Sequence, residues 1–452
     1  MKAQNNLGTD PIGRLVIRLA IPSMLAQFVS VLYSIVDRMF IGNLPEIGDT
    51  ALAGVGVAGP IVTLLSSFAS LIGIGGAPLM SIRMGEKQED KAREIVANSF
   101  IMLLVISAVL TVAALLLKRP LLMWFGASGS TFPYADAYMT IYVCGTVFAL
   151  MSTGMNQFII SQGYAKTGMF SVLIGAAANI ILDPLFMFGL DMGVEGAAIA
   201  TVLSQVLSCA FVLGFLFSKK PPIRITFGGY RADIMKRILA IGFAPFMIIA
   251  FDSILIITLN TVLQTYGGAE YGDMYVTCAT IVQSFMLIVT MPLGGITGGT
   301  QAILGFNYGA GQPDRIKKAQ KYILVLSVIF TTVMFLAARL VPQYFVRLFS
   351  SNTENMELCV WAIQVFTLAV IPLAFQYTIV DGFTGMGMVK ISIPLSFFRK
   401  GIFFLFVFGL PAIWGAKAVF WTEPLSDLIA GIVSSAVYLK VINRALHIQN
   451  KG

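Results

Sequence analysis

The stretch FSKKPPIRITFGGYRADIMKR, residues 217–237, interrupts an otherwise apolar chain near its midpoint. It sets basic residues beside Pro221, Pro222, Gly228 and Gly229, the composition of a solvated linker. On either side lie continuous apolar runs of about 20 residues, the length a helix needs to cross a hydrocarbon core of about 30 Å. Six precede it (15–41, 51–80, 94–117, 134–160, 168–190, 193–217) and six follow (236–266, 274–305, 320–341, 357–385, 390–413, 415–440). The runs are too long and too unbroken for the alternating strands of a membrane β-barrel. The first is about twice the apolar length of a signal peptide and lacks a small-residue cleavage site, so it is expected to stay as a helix. The 452 residues are 57% hydrophobic and 12% charged, with mean hydropathy +0.84. That is more apolar surface than one water-facing fold can hide.

Sliding the second half over the first exposes a repeat. LAIPSM (19–24) answers IGFAPFM (241–247), which aligns Pro22 with Pro245 and, further on, Asp37 with Asn260. MGEKQEDKAR (84–93) answers YGAGQPDRIK (308–317), GYAKTGM (163–169) answers GFTGMGM (382–388), and EGAAIA (195–200) answers WGAKAV (414–419). An even number of spans per copy makes the repeats parallel, as in transporters whose site lies between two bundles. The expected fold is an all-α integral membrane protein of twelve transmembrane helices, two six-helix bundles related by pseudo-two-fold symmetry. Residues 1–217 form the N-lobe, 218–235 a linker and 236–452 the C-lobe.

The pI of about 9.2 is explained by position. About 22 of the 30 basic residues, Lys2, Arg83, Arg315 and Lys451 among them, fall on the linker side, against about six (Arg38, Lys118, Arg119, Arg339, Arg347, Lys417) on the other. This positive-inside pattern puts both termini in the cytoplasm and removes the need for a nucleic-acid partner. The four cysteines are dispersed, and the only histidine, His447, lies in a polar tail, so no metal-binding pattern is legible.

A charge at mid-membrane costs about 2.5–3.5 kcal/mol on insertion scales, so the acids Asp37, Asp183, Asp252 and Asp381 each require a partner or a task. At 1.5 Å per residue, Asp37 lies about 33 Å and Asp183 about 22 Å from the cytoplasmic start of their helices. Asn179 shares a helix face with Asp183, and Thr201 reaches a similar depth from the other direction. Two carboxylates, an amide and a hydroxyl there suit a small cation or a shared proton. The competing reading has Asp37 reaching the outer interface beside Arg38. Arg399, inside ISIPLSFFRKGIFFLFVFG, is expected to pair with Asp381. GVGVAG (54–59), GIGG (73–76) and GGITGG (294–299) sit within apolar spans, where small residues serve helix packing rather than nucleotide binding. There is no phosphate-binding G-x-x-x-x-G-K-[ST] run and no Ser/His/acid nucleophile set, so neither direct nucleotide use nor an enzyme is expected.

Taken in order, LAIPSMLAQ, YSIVDRMFIGN (33–43), GAAANIILDPLFMFGLDMGVEGAAIAT (175–201) and the basic connections after the second and eighth spans resemble the MATE (multidrug and toxic compound extrusion) transporters, in their bacterial, MepA-type branch. The resemblance covers nearly the whole chain. It implies a bacterial cytoplasmic-membrane protein that exchanges Na⁺ or H⁺ for amphipathic, often cationic compounds, working as a monomer among membrane lipids with no cofactor, nucleotide or nucleic-acid partner. It carries a cation site over as Asp37, Asn179, Asp183, Thr201 and Asn156, aromatic cavity positions as Tyr33 and Tyr138, and a bending proline as Pro22. Asp252 and Asp381 match acids that couple transport from the second lobe in some branches. Met and Phe residues, 22 and 34 in number, would suit an adaptable drug cavity, although such residues more often pack helices or face lipid. The rival readings are a lipid-linked oligosaccharide flippase of related architecture, which would want a cationic cavity, and a solute importer.

Overall fold

The computed structural model describes residues 5–447 except 43, 46, 126, 128 and 348–352. Lys2, Lys451 and the Asn43 that ends YSIVDRMFIGN lie outside the described residues. The described chain is all helical. It runs α1 (Ile12–Gly42), α2 (Gly48–Gly85), α3 (Glu89–Trp124), α4 (Phe132–Cys144), α5 (Thr146–Ser161), α6 (Ala165–Pro184) and α7 (Gly193–Phe217). Beyond the linker come α8 (Ala232–Gly309), α9 (Pro313–Leu340), α10 (Pro342–Arg347), α11 (Thr353–Phe366), α12 (Val370–Gly385), α13 (Val389–Trp414) and α14 (Thr422–His447). Gly268, at φ 65°, breaks α8 into two arms, Ala232–Gly268 and Met274–Gly309. Ten of these segments are long and apolar enough to cross a membrane, and two bent pairs, α4 with α5 and α11 with α12, raise the number to twelve.

The bent pairs are the fourth and tenth apolar runs, bent by 56° and 45°. At the first bend a Cβ on Gly145 would come within 2.6 Å of Val202, so the close approach of α7 fixes where the run breaks. Helix starts follow local chemistry. Glu89 and Asp90 open α3, where the helix dipole favours negative charge, and Pro313 opens α9, where its missing N–H leaves no bond unmade.

The duplication is visible in the turns. Gln88 and Gln312 stand just before α3 and α9, and their N–H groups donate to Arg83 and Asn307 carbonyls at 2.9 Å each. Lys87 and Gly311 before them have matching left-handed φ of 60° and 64°. One repeat register needs correction. Gly163 (φ 87°) corresponds to Gly387 (φ 72°), each followed by one residue and then a helix, and not to Gly382. Gly382 lies inside α12, where a Cβ would meet Gln320 at 2.6 Å. Its glycine is required by packing, whereas the other two are required by φ.

At the ends next to the linker the halves touch backbone to backbone. A Cβ on Gly242 would lie 1.7 Å from the Leu71 carbonyl oxygen, and one on Gly309 would lie 2.0 Å from that of Ile82. Gly75 and Gly85 complete these crossings from α2. The N-terminal segment straps the same end. Asn5 donates to the Gly163 carbonyl at 2.8 Å, while Arg315 donates to the carbonyls of Leu7 and Asp10 at 3.1 and 3.0 Å. The linker folds onto the first half, where Ile223 N–H donates to Gln162 and Arg231 N–H to Asn98, both at 2.9 Å. At the opposite end of the first arm of α8, a Cβ on Gly268 would meet nothing within 4 Å. The halves therefore converge at one end and leave a cavity between them. Gly242→Ala is expected to push α8 off α2 and cost about 1–3 kcal/mol, the range for overpacked interiors. Thermal unfolding of the purified protein measures it, and a midpoint equal to wild type would contradict the crossing.

Candidate functional site

The site lies in the first half, where α1, α4, α6 and α7 meet. Pro184 has no N–H for the carbonyl one turn back, and directly after it the helix widens into a π turn, Leu185–Gly189. Gly196 of α7 sits against that turn, since a Cβ there would lie 2.8 Å from the Phe186 carbonyl carbon. This contact brings Thr201 to α6.

Asn179 occupies the junction. Its Nδ2 donates to Asp183 Oδ1 at 3.0 Å and to Thr201 Oγ1 at 3.4 Å. Asp183 is completely buried. Asp37 comes from α1 to face the Asp183 carboxyl, while Arg38, next in sequence, is exposed. Asp37 thus turns inward, away from the interfacial position beside Arg38. Tyr138 on α4 stands beside Thr201 and stacks on Tyr142, with ring centroids 6.2 Å apart. Gln205 Nε2 donates to the Tyr142 hydroxyl at 3.4 Å. Tyr33 lies one turn before Asp37 on the same helix and lines the cavity between the halves.

Three buried acceptors in this cluster have no hydrogen-bond partner: Asp37 Oδ1, Asn179 Oδ1 and Asp183 Oδ2. Buried oxygens left this way are destabilising unless a donor or a cation reaches them. Two carboxylates in contact also repel unless a proton or a cation lies between them. Among the described residues no three His, Cys, Asp or Glu side chains come together. The donor set is therefore two carboxylates, an amide and a hydroxyl, hard oxygens that suit a proton or a hard cation.

Asn179 and Thr201 also line a cavity of about 340 Å³ between the halves, with Tyr33, Tyr142 and Gln205 from the first half and Gln301 from the second. Asn156 faces the same cavity, held by a 3.3 Å bond from Nδ2 to the Gly168 carbonyl, and makes no bond to the carboxylates. Pro22 is buried within an α1 that stays helical through it, next to Ser23 on the cavity wall. A Cβ on Gly299 would lie 2.3 Å from Ser23 Oγ, so the GGITGG stretch brings the second arm of α8 against α1. In GIGG, Gly73 packs against Gly154, and in GVGVAG Gly54 packs against Thr131, whereas Cβ atoms on Gly56 and Gly59 would meet nothing within 4 Å. The wall is mostly Ser, Gln, Asn, Thr and Tyr, carries no charged residue and no Phe, and has Met169 as its one Met. The Phe residues lie elsewhere: Phe158, Phe383 and Phe420 are among the largest fully buried side chains, while others, Phe170, Phe227 and Phe408 among them, are exposed on the outer surface.

In the second half the pairing of Arg399 differs from expectation. Its Nε donates to Asp427 Oδ1 at 2.7 Å and its Nη2 to Glu423 Oε1 at 2.6 Å. Asp381 instead accepts from Thr297, and Asp252 is ion-paired with Lys400. Glu423 and Asp427 stand four residues apart in EPLSD, on one face of α14 and inside the last apolar run. That spacing is the signal that could have found them. Asn260, at the place of Asp37 in the repeat, has a buried Oδ1 without a partner and brings no charge.

The family model described as MatE matches residues 22–185 and 232–408 of this chain. The multidrug export protein MepA of Staphylococcus haemolyticus is 23% identical over 432 residues, covering 94% of this chain and 93% of that protein. Among solved structures, an outward-facing multidrug resistance MATE family transporter of the MOP superfamily superposes with TM-score 0.89 at 24% identity, over 99% of both chains. A MOP superfamily transporter from Pyrococcus furiosus, described as having a binding pocket of reversed polarity, superposes with TM-score 0.91, also at 24% identity over 99% of both chains. With the family model spread across both halves, the twelve-span fold and the motifs in order, this chain belongs to the MATE family of multi-pass membrane transporters.

Proposed function

We propose that this protein is a secondary transporter that expels small organic compounds, amphipathic cations among them, from the cytoplasm in exchange for Na⁺ or H⁺. The observation that carries the reading is the continuity of the Asp37–Asp183–Asn179–Thr201 cluster with the cavity between the halves. A cation or proton that settles the two carboxylates changes the charge felt by a positively charged solute a few residues away. Mutual exclusion of solute and cation is then enough to couple their movements, because each favours a different state of the same site. The names of the Staphylococcus relatives support the export direction. The basic bias toward the linker side supports cytoplasmic termini in a bacterial plasma membrane. A flippase for anionic lipid-linked sugars is disfavoured, because the cavity wall offers no basic side chain.

The test uses purified protein in liposomes loaded with ethidium, a fluorescent cationic dye. Dye is expected to leave faster when a Na⁺ gradient or a pH gradient is imposed, and whichever gradient works names the coupling ion. Dye efflux indifferent to both gradients would end this reading.

A further inference from the structure

Three of the four tryptophans of the chain, Trp361, Trp414 and Trp421, converge on one groove in the second half, which shares no lining residue with the cavity between the halves. The groove measures about 460 Å³ and is completed by Leu410, Leu425 and Lys417. It forms where α13 ends at Gly415 (φ 79°) and a 3₁₀ turn, Ala416–Trp421, leads into α14. This turn joins two membrane-crossing helices, so the groove opens at the level where a bilayer passes from hydrocarbon to headgroups. Its walls are not covered by protein. Trp414 is 69% exposed and Trp421 42% exposed, with exposed Ile413 beside them. Tryptophan favours that depth because its ring is apolar and its N–H is polar.

Lys417 is the one charged side chain of the groove, is exposed, and makes no ion pair among the described residues. By contrast, Lys118, on the same side of the membrane by the basic-residue map, is paired with Asp136 at 2.9 Å. From these features we propose that the groove binds an anionic phospholipid, with the phosphate on Lys417 Nζ and the upper acyl chain against the tryptophans. The volume falls within the range of small-molecule pockets, about 300–1,000 Å³. The bilayer supplies this occupant at high local concentration, and the lysine supplies the selectivity for negative charge. One basic residue near an anionic lipid is worth roughly a five-fold preference.

Tryptophan quenching by brominated lipids tests the proposal directly. Trp124→Phe removes the tryptophan outside the groove, and the protein is placed in nanodiscs of phosphatidylcholine in which a small fraction of either phosphatidylglycerol or phosphatidylcholine is brominated. Brominated phosphatidylglycerol is expected to quench with roughly five-fold higher affinity. Lys417→Gln should abolish that preference and Lys417→Arg should keep it, with circular dichroism unchanged in both. Equal quenching by the two lipids, or a preference that survives Lys417→Gln, would overturn the proposal.

Discussion

Asp183→Asn is expected to slow gradient-driven dye efflux from liposomes by on the order of 100-fold, near the top of the usual range for coupling free energies. The substitution is close in shape and leaves Asn179 a carbonyl oxygen to donate to within α6, and the bond from Asn179 to Thr201 that joins α6 to α7 does not involve it. What it removes is one of the two charges that meet at the α1–α6 contact. With Asp37 left as a lone carboxylate, the site can no longer hold a cation between two acids, and the gradient loses its grip on the equilibrium between states. Dye binding to the cavity is expected to persist, because Asp183 does not line the cavity and the groups that do are untouched. Ethidium fluorescence anisotropy of the purified variant measures binding, and the liposome assay measures coupling. A variant that binds dye and still answers the gradient at the wild-type rate would remove Asp183 from the coupling site. Asp37→Asn serves as the parallel variant, and the same result there would move attention to Asp381, whose hydrogen-bonded carboxyl is the second half's counterpart.

Helix number was legible because a bilayer allows few solutions. A chain crossing hydrocarbon must satisfy its backbone internally, so each long apolar run is a helix whatever its side chains. Bends were less legible, because they depend on the neighbour. Gly145 looks like any other glycine in a membrane span until Val202 of α7 is found against it. The repeat was readable where identical chemistry recurs, as at Gln88 and Gln312. It slipped where a glycine needed for packing, Gly382, stood close in sequence to one needed for φ, Gly387. For the site, spacing alone placed Asn179 and Asp183 on one face, and the hydrogen bond between them agrees. The inward turn of Asp37 is a matter of helix rotation about its axis, which hydropathy does not set. The partner of Arg399 was misread for a related reason: depth narrows the candidates to acids at one level, and only tertiary structure chooses between α12 and α14.

Arg399→Ala is expected to destabilise the protein by about 3–5 kcal/mol, the effect of stripping one member from a buried charge cluster. The guanidinium is nearly enclosed and is the donor for both Asp427 and Glu423, and Asp427 has a second buried oxygen that already lacks a partner. Removing the arginine leaves two acids of α14 facing each other in low dielectric with nothing to balance them. It also removes the cation above the Tyr377 ring, 6.0 Å away, which ties α12 to the same cluster. Removing the acids together with the arginine avoids that penalty. The triple variant Arg399→Met, Glu423→Gln, Asp427→Leu is expected to recover most of the loss, since a well-packed apolar replacement for a buried ion group is often neutral or better. Arg399→Asp combined with Asp381→Arg is expected to rescue nothing, because Asp381 is bonded to Thr297 while Arg399 is held by Glu423 and Asp427. Thermal unfolding of the detergent-purified variants reads all three. A single Arg399→Ala variant as stable as wild type, or a charge swap at Asp381 that restores stability, would show that α14 does not hold this arginine. A gain from the triple variant in stability but not in dye efflux would mean that the cluster serves transport as well as folding.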